Sequence, residues 1–159
     1  MKLGGFSENT VGAILLLFGL GFVIGNTIGG KLADRGLMPT LVGFLALLCL
    51  VLASFSVTLH HQSWALLSVF LLGVAGFGVV PALQLRAVGQ AEGAPDLASS
   101  FNIAAFNLGN AAGAYLGGSV IDHALGLSSI PWVAALVTLG ALATALLSWH
   151  LDPESIRDH

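Results

Sequence analysis

Apolar residues run along this chain in five blocks, each closed by a short polar break. A helix that crosses a bilayer needs about 20 mostly apolar residues. The blocks meet that length at about residues 10–32, 39–59, 63–86, 97–121 and 129–149. The pattern predicts an all-α, polytopic membrane helix bundle with five transmembrane helices in a single domain. Ser7, just ahead of Glu8, stands where the first helix would be capped. Gly21, Gly25 and Gly29 recur every fourth residue in the first block, which puts them on one face for close contact with another helix. Pro39 suits the first turn of the second helix. That helix is leucine-rich with few small residues, and is expected to be a peripheral, lipid-facing support. The third block starts near Trp64, at the level of an interfacial aromatic belt. Its centre holds Gly73, Gly76, Gly78 and Pro81, and Pro81 cannot donate to the carbonyl of Phe77, so a bend is expected there. The fourth block carries Asn102, Asn107 and Asn110 with Gly109, Gly113 and Gly117 every fourth residue. Three amides at membrane depth are costly unless hydrogen-bonded, so they should face a helix or a watery cavity rather than lipid. Ser128–Ser129 would cap the last block, with Pro131 in its first turn and Trp132 in the aromatic belt.

Composition narrows the class. Of 159 residues, 56% are hydrophobic and 8% charged, with a mean hydropathy of +0.93. Soluble domains carry about 25% charged residues, so this chain cannot cover a water-facing surface. The net charge of −3 is spread over ends and loops, and no basic patch points to nucleic acid. The one cysteine, Cys49, lies inside an apolar block and reads as a small hydrophobe. It offers no disulfide framework or zinc spacing, and no cofactor or metal is expected. No signal-peptide cleavage pattern precedes the first block, which is expected to stay in the membrane.

The densest charge lies between the first two blocks, in Gly25-Asn26-Thr27-Ile28-Gly29-Gly30-Lys31-Leu32-Ala33-Asp34-Arg35-Gly36. Lys31, Asp34 and Arg35 fall close together there, as a short loop at a membrane face would place them. The basic residues Lys31, Arg35, Arg86 and Arg157 fall on one side of a five-span topology and only Lys2 on the other. The positive-inside rule then predicts a cytoplasmic C-terminus and an outside N-terminus. His60-His61 could suggest a metal, but adjacent positions point apart on a helix and no third ligand is near. Asp122-His123 reads as a helix end rather than a catalytic pair. No HExxH or GxSxG occurs, and no His or acid is paired within a span, so an enzyme is not expected.

The stretch Gly-x-x-x-Gly-Gly-x-Leu-Ala-Asp-Arg-Gly, between two spans, resembles the loop motif of the major facilitator superfamily. Val80-Pro81-Ala82-Leu83-Gln84 and the Asn/Gly run from Asn102 to Gly118 resemble the second half of its bacterial proton-coupled drug and sugar efflux members. The match runs from about Gly5 to Trp149. It departs from the motif at Leu37-Met38-Pro39, where basic residues usually follow the last glycine. The resemblance implies a partial C-terminal half of the fold, helices eight to twelve of twelve, with the first half and the seventh helix absent. An internal start or a truncated gene would account for that.

It also implies roles. Gly25, Gly29, Gly30, Asp34, Arg35 and Gly36 would form a cytoplasmic latch joining the two halves in the outward-facing state. Asp34 would sit near a helix N-terminus of the other half, an arrangement favoured by up to about 2 kcal/mol. Asn26, Pro81, Gln84, Asn102, Asn107, Asn110, Gly109, Gly113 and Gly117 would line the cavity or the domain interface. The expected protein is part of a secondary active exporter of small organic molecules, such as drugs or sugars, working by alternating access in a bacterial inner membrane. No acidic residue lies mid-span, so a proton site is expected on the absent half. The expected partners are the lipid bilayer, a small-molecule substrate only once the missing half is supplied, and a homo- or hetero-oligomer. A small structural or regulatory protein that docks on other transporters through the same glycine faces is the alternative.

Overall fold

The computed structural model describes residues 8–58, 62–91, 93–122 and 129–151, and the regular structure among them is helical. Five α-helices follow in order: α1 (Glu8–Ala33), α2 (Leu37–Thr58), α3 (Gln62–Gly89), α4 (Pro95–Asp122) and α5 (Ile130–Leu151). Helices suit a chain this apolar, because each satisfies its backbone polar groups internally where lipid offers no partner. By length and composition α1, α2, α3 and α5 can each cross a membrane. α4 matches α3 in length at 28 residues but is less apolar, because asparagine and glycine interrupt it. Ser7, His60, His61, His123 and Ser128 lie outside the described residues.

Two described turns, after α1 and before α4, show how the helices beside them end and begin. At the end of α1, the Asp34 N–H donates to the Gly30 carbonyl at 3.1 Å, and those of Arg35 and Gly36 donate to Leu32 at 3.0 Å each. These bonds satisfy carbonyls that the end of a helix would otherwise leave open. Gly36 then starts α2: its carbonyl accepts from the Thr40 N–H at 3.2 Å and from Thr40 Oγ1 at 2.7 Å. Pro39 falls in the first turn, where its missing N–H costs nothing. Before α4 the chain turns at Gly93, whose φ of 81° is a conformation glycine adopts freely. Pro95 opens α4, and the Ala98 N–H donates to the Ala94 carbonyl at 3.1 Å.

α1 and α3 form the most intimate pair. A methyl group at Gly21 would overlap the Phe70 carbonyl oxygen, one at Gly25 the Val74 carbonyl oxygen, and one at Gly29 the Gly78 carbonyl oxygen. α3 answers with Gly73, whose missing side chain makes room for the backbone at Phe18 to Phe22. The two backbones therefore touch along three turns, the contact that small residues at every fourth position allow. Phe77 completes the seam, edge-on to Phe22 at 4.2 Å and to Phe18 at 6.0 Å between ring centres. α3 stays helical through Pro81.

α2 is not the lipid-facing support that its leucine content suggests. Met38, Leu41, Phe44 and Leu45 are buried with Ala33, Val79, Ala82 and Ala145, and together these form the hydrophobic core. The Phe44 ring occupies the space that a side chain at Gly78 would fill. The glycine that admits α2 lies on α3, so α2's own sequence carried no sign of it. α5 closes the core from the other side with Ala145, Leu142 and Trp149. α4 lies at the periphery.

Candidate functional site

Gly30, Asp34, Arg35, Gly36, Pro81, Gln84 and Asn102 lie toward the end of the bundle where α1 meets α2 and α3 meets α4, and the other α4 residues singled out in the sequence lie farther along that helix. Gly25 and Gly29 are buried in the α1–α3 seam. Gly30, one turn before the loop, sits across from Pro81: a methyl group there would lie 3.9 Å from the proline Cβ. The loop and the proline level of α3 are thus in near contact. Asp34 and Arg35 both lie exposed at the tip of the turn, carried on the rigid α1–α3 pair. Asn26 is exposed.

Arg86, near the end of α3, ties three helices together. Its guanidinium donates to Met38 Sδ on α2 at 2.8 Å and to Ser148 Oγ on α5 at 2.7 Å. A cavity of about 250 Å³ lies beside it, lined by core residues of α2, α3 and α5 and by Thr144 and Ser148. Sequence reasoning counted Arg86 only as a loop charge. Its position inside the last turn of an apolar helix was the available sign that it reaches inward.

Gln84 and Asn102 come together. Asn102 Nδ2 donates to Gln84 Oε1 at 2.6 Å, and Gln84 Nε2 donates to Ser99 Oγ at 2.5 Å. Both ends of the Gln84 amide are therefore engaged with α4. Asn107 and Asn110 are different: each is exposed, farther along α4. Gly109, Gly113 and Gly117 have no atom of another element within 4 Å of where a side chain would begin. They line a cavity of about 350 Å³ between α4 and α5, opposite Val133, Ala134, Val137 and Thr138. The amide face of α4 is thus split. Asn102 has a protein partner, while Asn107 and Asn110 remain open to whatever lies beyond this chain's own helices. Among the described residues no group of His, Cys, Asp and Glu is placed to hold a metal ion.

Comparison with known proteins places this arrangement. A family model described as Major Facilitator Superfamily matches residues 3–158. The chain is 46% identical over 146 residues to the inner membrane transport protein YdhP of Escherichia coli (strain K12), covering 92% of this chain and 38% of that protein. It is 30% identical over 141 residues to a chloramphenicol resistance protein of Streptomyces lividans, covering 89% of this chain and 36% of that protein. It is 30% identical over 151 residues to a probable sugar efflux transporter of Helicobacter acinonychis (strain Sheeba), covering 94% and 37%. The chain therefore spans a little over a third of the length of these relatives.

Proposed function

The chain belongs to the major facilitator superfamily, and on that premise we propose that it is part of a secondary active transporter exporting small organic molecules by alternating access. The observation that carries this reading is the Gly25–Gly36 stretch. Its glycines weld α1 to α3, and its Asp34 and Arg35 stand exposed on the turn that follows. An acid and a base held on a rigid lever are suited to docking on a second body. In this reading the second body is another six-helix half, and Asp34 meets the N-terminus of one of its helices. The turn lies on the cytoplasmic side, together with Arg86 and the C-terminus, and the N-terminus lies outside.

Rocking of two such bodies about a midplane site exposes the site to each side in turn. Within this chain, Asn107 and Asn110 are the amides open toward that site. Pro81 and Asn26 belong to the moving interface. The substrate class of drugs or sugars draws support from the names of two relatives, one a chloramphenicol resistance protein and one a probable sugar efflux transporter. Proton coupling would use an ionisable group outside this chain, since the acids of the described helices, Glu8, Asp96 and Asp122, stand at helix ends.

The test is a chimaera in which this chain replaces the matching segment of the E. coli relative, assayed in proteoliposomes with radiolabelled chloramphenicol and a panel of radiolabelled sugars. Export of at least one probe by the chimaera, lost on Asp34→Asn, is the expected result. Equal export by the 159-residue chain alone would overturn the reading. So would loss of proton coupling with intact substrate binding in Asp122→Asn.

A further inference from the structure

We propose that Arg86 is a positioning residue for the turn that carries Asp34 and Arg35, and that it acts through Met38. α3 supports both arms of that turn. On the incoming arm, Gly29 lies against the Gly78 backbone, and a methyl group at Gly30 would lie 3.9 Å from the Pro81 Cβ. On the outgoing arm, the Phe44 ring fills the notch at Gly78, and Met38 Sδ accepts from the Arg86 guanidinium at 2.8 Å. α1 therefore runs parallel to α3, and α2 runs antiparallel to it, with Met38 at Arg86 and Phe44 at Gly78. The stretch of α3 from Gly78 to Arg86, about 12 Å of helix at a rise of about 1.5 Å per residue, thus holds both ends of the turn.

Inside the turn the bonds are local. The Asp34 N–H donates to Gly30, those of Arg35 and Gly36 donate to Leu32, and the Gly36 carbonyl accepts from Thr40. These bonds fasten the turn to the end of α1 and the start of α2, and they move with those helix ends. The direction in which Asp34 and Arg35 are presented is therefore set by where α2 starts relative to α1. Met38 is the second residue of α2 and is buried with Ala33 from the end of α1. Leu41, Phe44 and Leu45 hold α2 farther along by apolar contact, which has no preferred direction. The bond from Arg86 is directional and falls in the first turn of α2. A lysine or arginine at position 38 would bring like charge onto the guanidinium, so an apolar side chain with an acceptor atom suits the Leu37-Met38-Pro39 segment. The bond from Arg86 to Ser148 goes to α5 and touches neither arm of the turn.

The inference rests on the docking reading for what the turn does. Its geometry is measured on this chain without a second half, so a failure here leaves the docking reading standing. The 159-residue chain, in a Cys49→Ala background and in lipid nanodiscs, would carry spin labels at Arg35→Cys in the turn and at Leu67→Cys on α3. Both positions are exposed, and Leu67 lies far along α3 from Arg86. Double electron–electron resonance reads the distance distribution between them, and circular dichroism reads stability. Met38→Leu removes the acceptor and keeps the apolar volume, a swap that cores tolerate well. It is expected to broaden and shift the distribution with unfolding unchanged. Ser148→Ala, which cuts the other bond of Arg86, should keep the native distribution. Met38→Gln, which keeps the length and restores an acceptor, should return it. Arg86→Ala should broaden it too, and Met38→Leu decides the case if Arg86→Ala does not fold. A native distribution in Met38→Leu overturns the inference. So does a Ser148→Ala or Met38→Gln distribution as broad as that of Met38→Leu, since Arg86 would then act as a general staple of the bundle.

Discussion

At the residue scale, glycines that look alike in sequence do opposite things. Gly25 is pressed against the Val74 backbone, while Gly12 and Gly19 on the same helix meet no other element within 4 Å. Gly25→Val should therefore force α1 and α3 apart and cost about 1–3 kcal/mol or more, as overpacking of a tight contact does. Gly12→Ala should leave stability unchanged or raise it slightly, since alanine is the better helix former. Denaturation in mixed micelles followed by circular dichroism separates the two. Asp34 and Arg35 are exposed, so replacing either should leave this measurement untouched while changing any docking it supports. Arg86 is the opposite case. Its planar guanidinium reaches Met38 and Ser148 at once, which a lysine ammonium cannot do with the same geometry. Arg86→Ala should destabilise the chain, and Arg86→Lys should recover only part of the loss in the same unfolding experiment.

At the element scale, the five helices were legible because apolar length and turn chemistry repeat along the chain. Pro39, Pro95 and Pro131 each fall in the first turn of a helix, as their fixed φ and missing N–H favour. The glycine face of α1 was legible too, from its four-residue spacing. What α2 does was not. A leucine facing lipid and a leucine facing another helix carry the same chemistry, and the notch that admits Phe44 is cut by Gly78 on a different helix. Nor could the sequence divide the amides of α4. Asn102 and Asn110 lie near one face, but only Asn102 comes opposite an α3 side chain that can both donate and accept. The α2 assignment has its own check. Phe44 is 8% exposed and Leu50 is 68% exposed. Phe44→Ala should cost about 2 kcal/mol, below the 3–5 kcal/mol of a soluble core because lipid removes much of the transfer term and leaves the cavity term. Leu50→Ala should cost nothing measurable, again by unfolding in mixed micelles. Equal effects would put α2 back at the lipid surface.

At the scale of the whole molecule, the described helices make an asymmetric body. α1, α2, α3 and α5 share close backbone contacts and one core, and α4 stands off with exposed amides and unfilled glycines. Polar side chains at membrane depth need a partner or water, so in the proposed reading the open side of α4 faces a cavity or a second body. The exposed turn at Asp34 is the other open edge, and in the proposed reading the second six-helix half meets both. The most direct measurement is the reactivity of a single cysteine at Asp34→Cys, in a Cys49→Ala background, toward a membrane-impermeant maleimide. It would be read in intact cells and in inverted membrane vesicles, with the 159-residue chain alone and with the chain completed by the remaining length of the E. coli relative. The account predicts labelling only in inverted vesicles, rapid for the chain alone and markedly slower once the chain is completed and the turn is docked. Labelling from outside intact cells, or equal rates for the two forms, would contradict it.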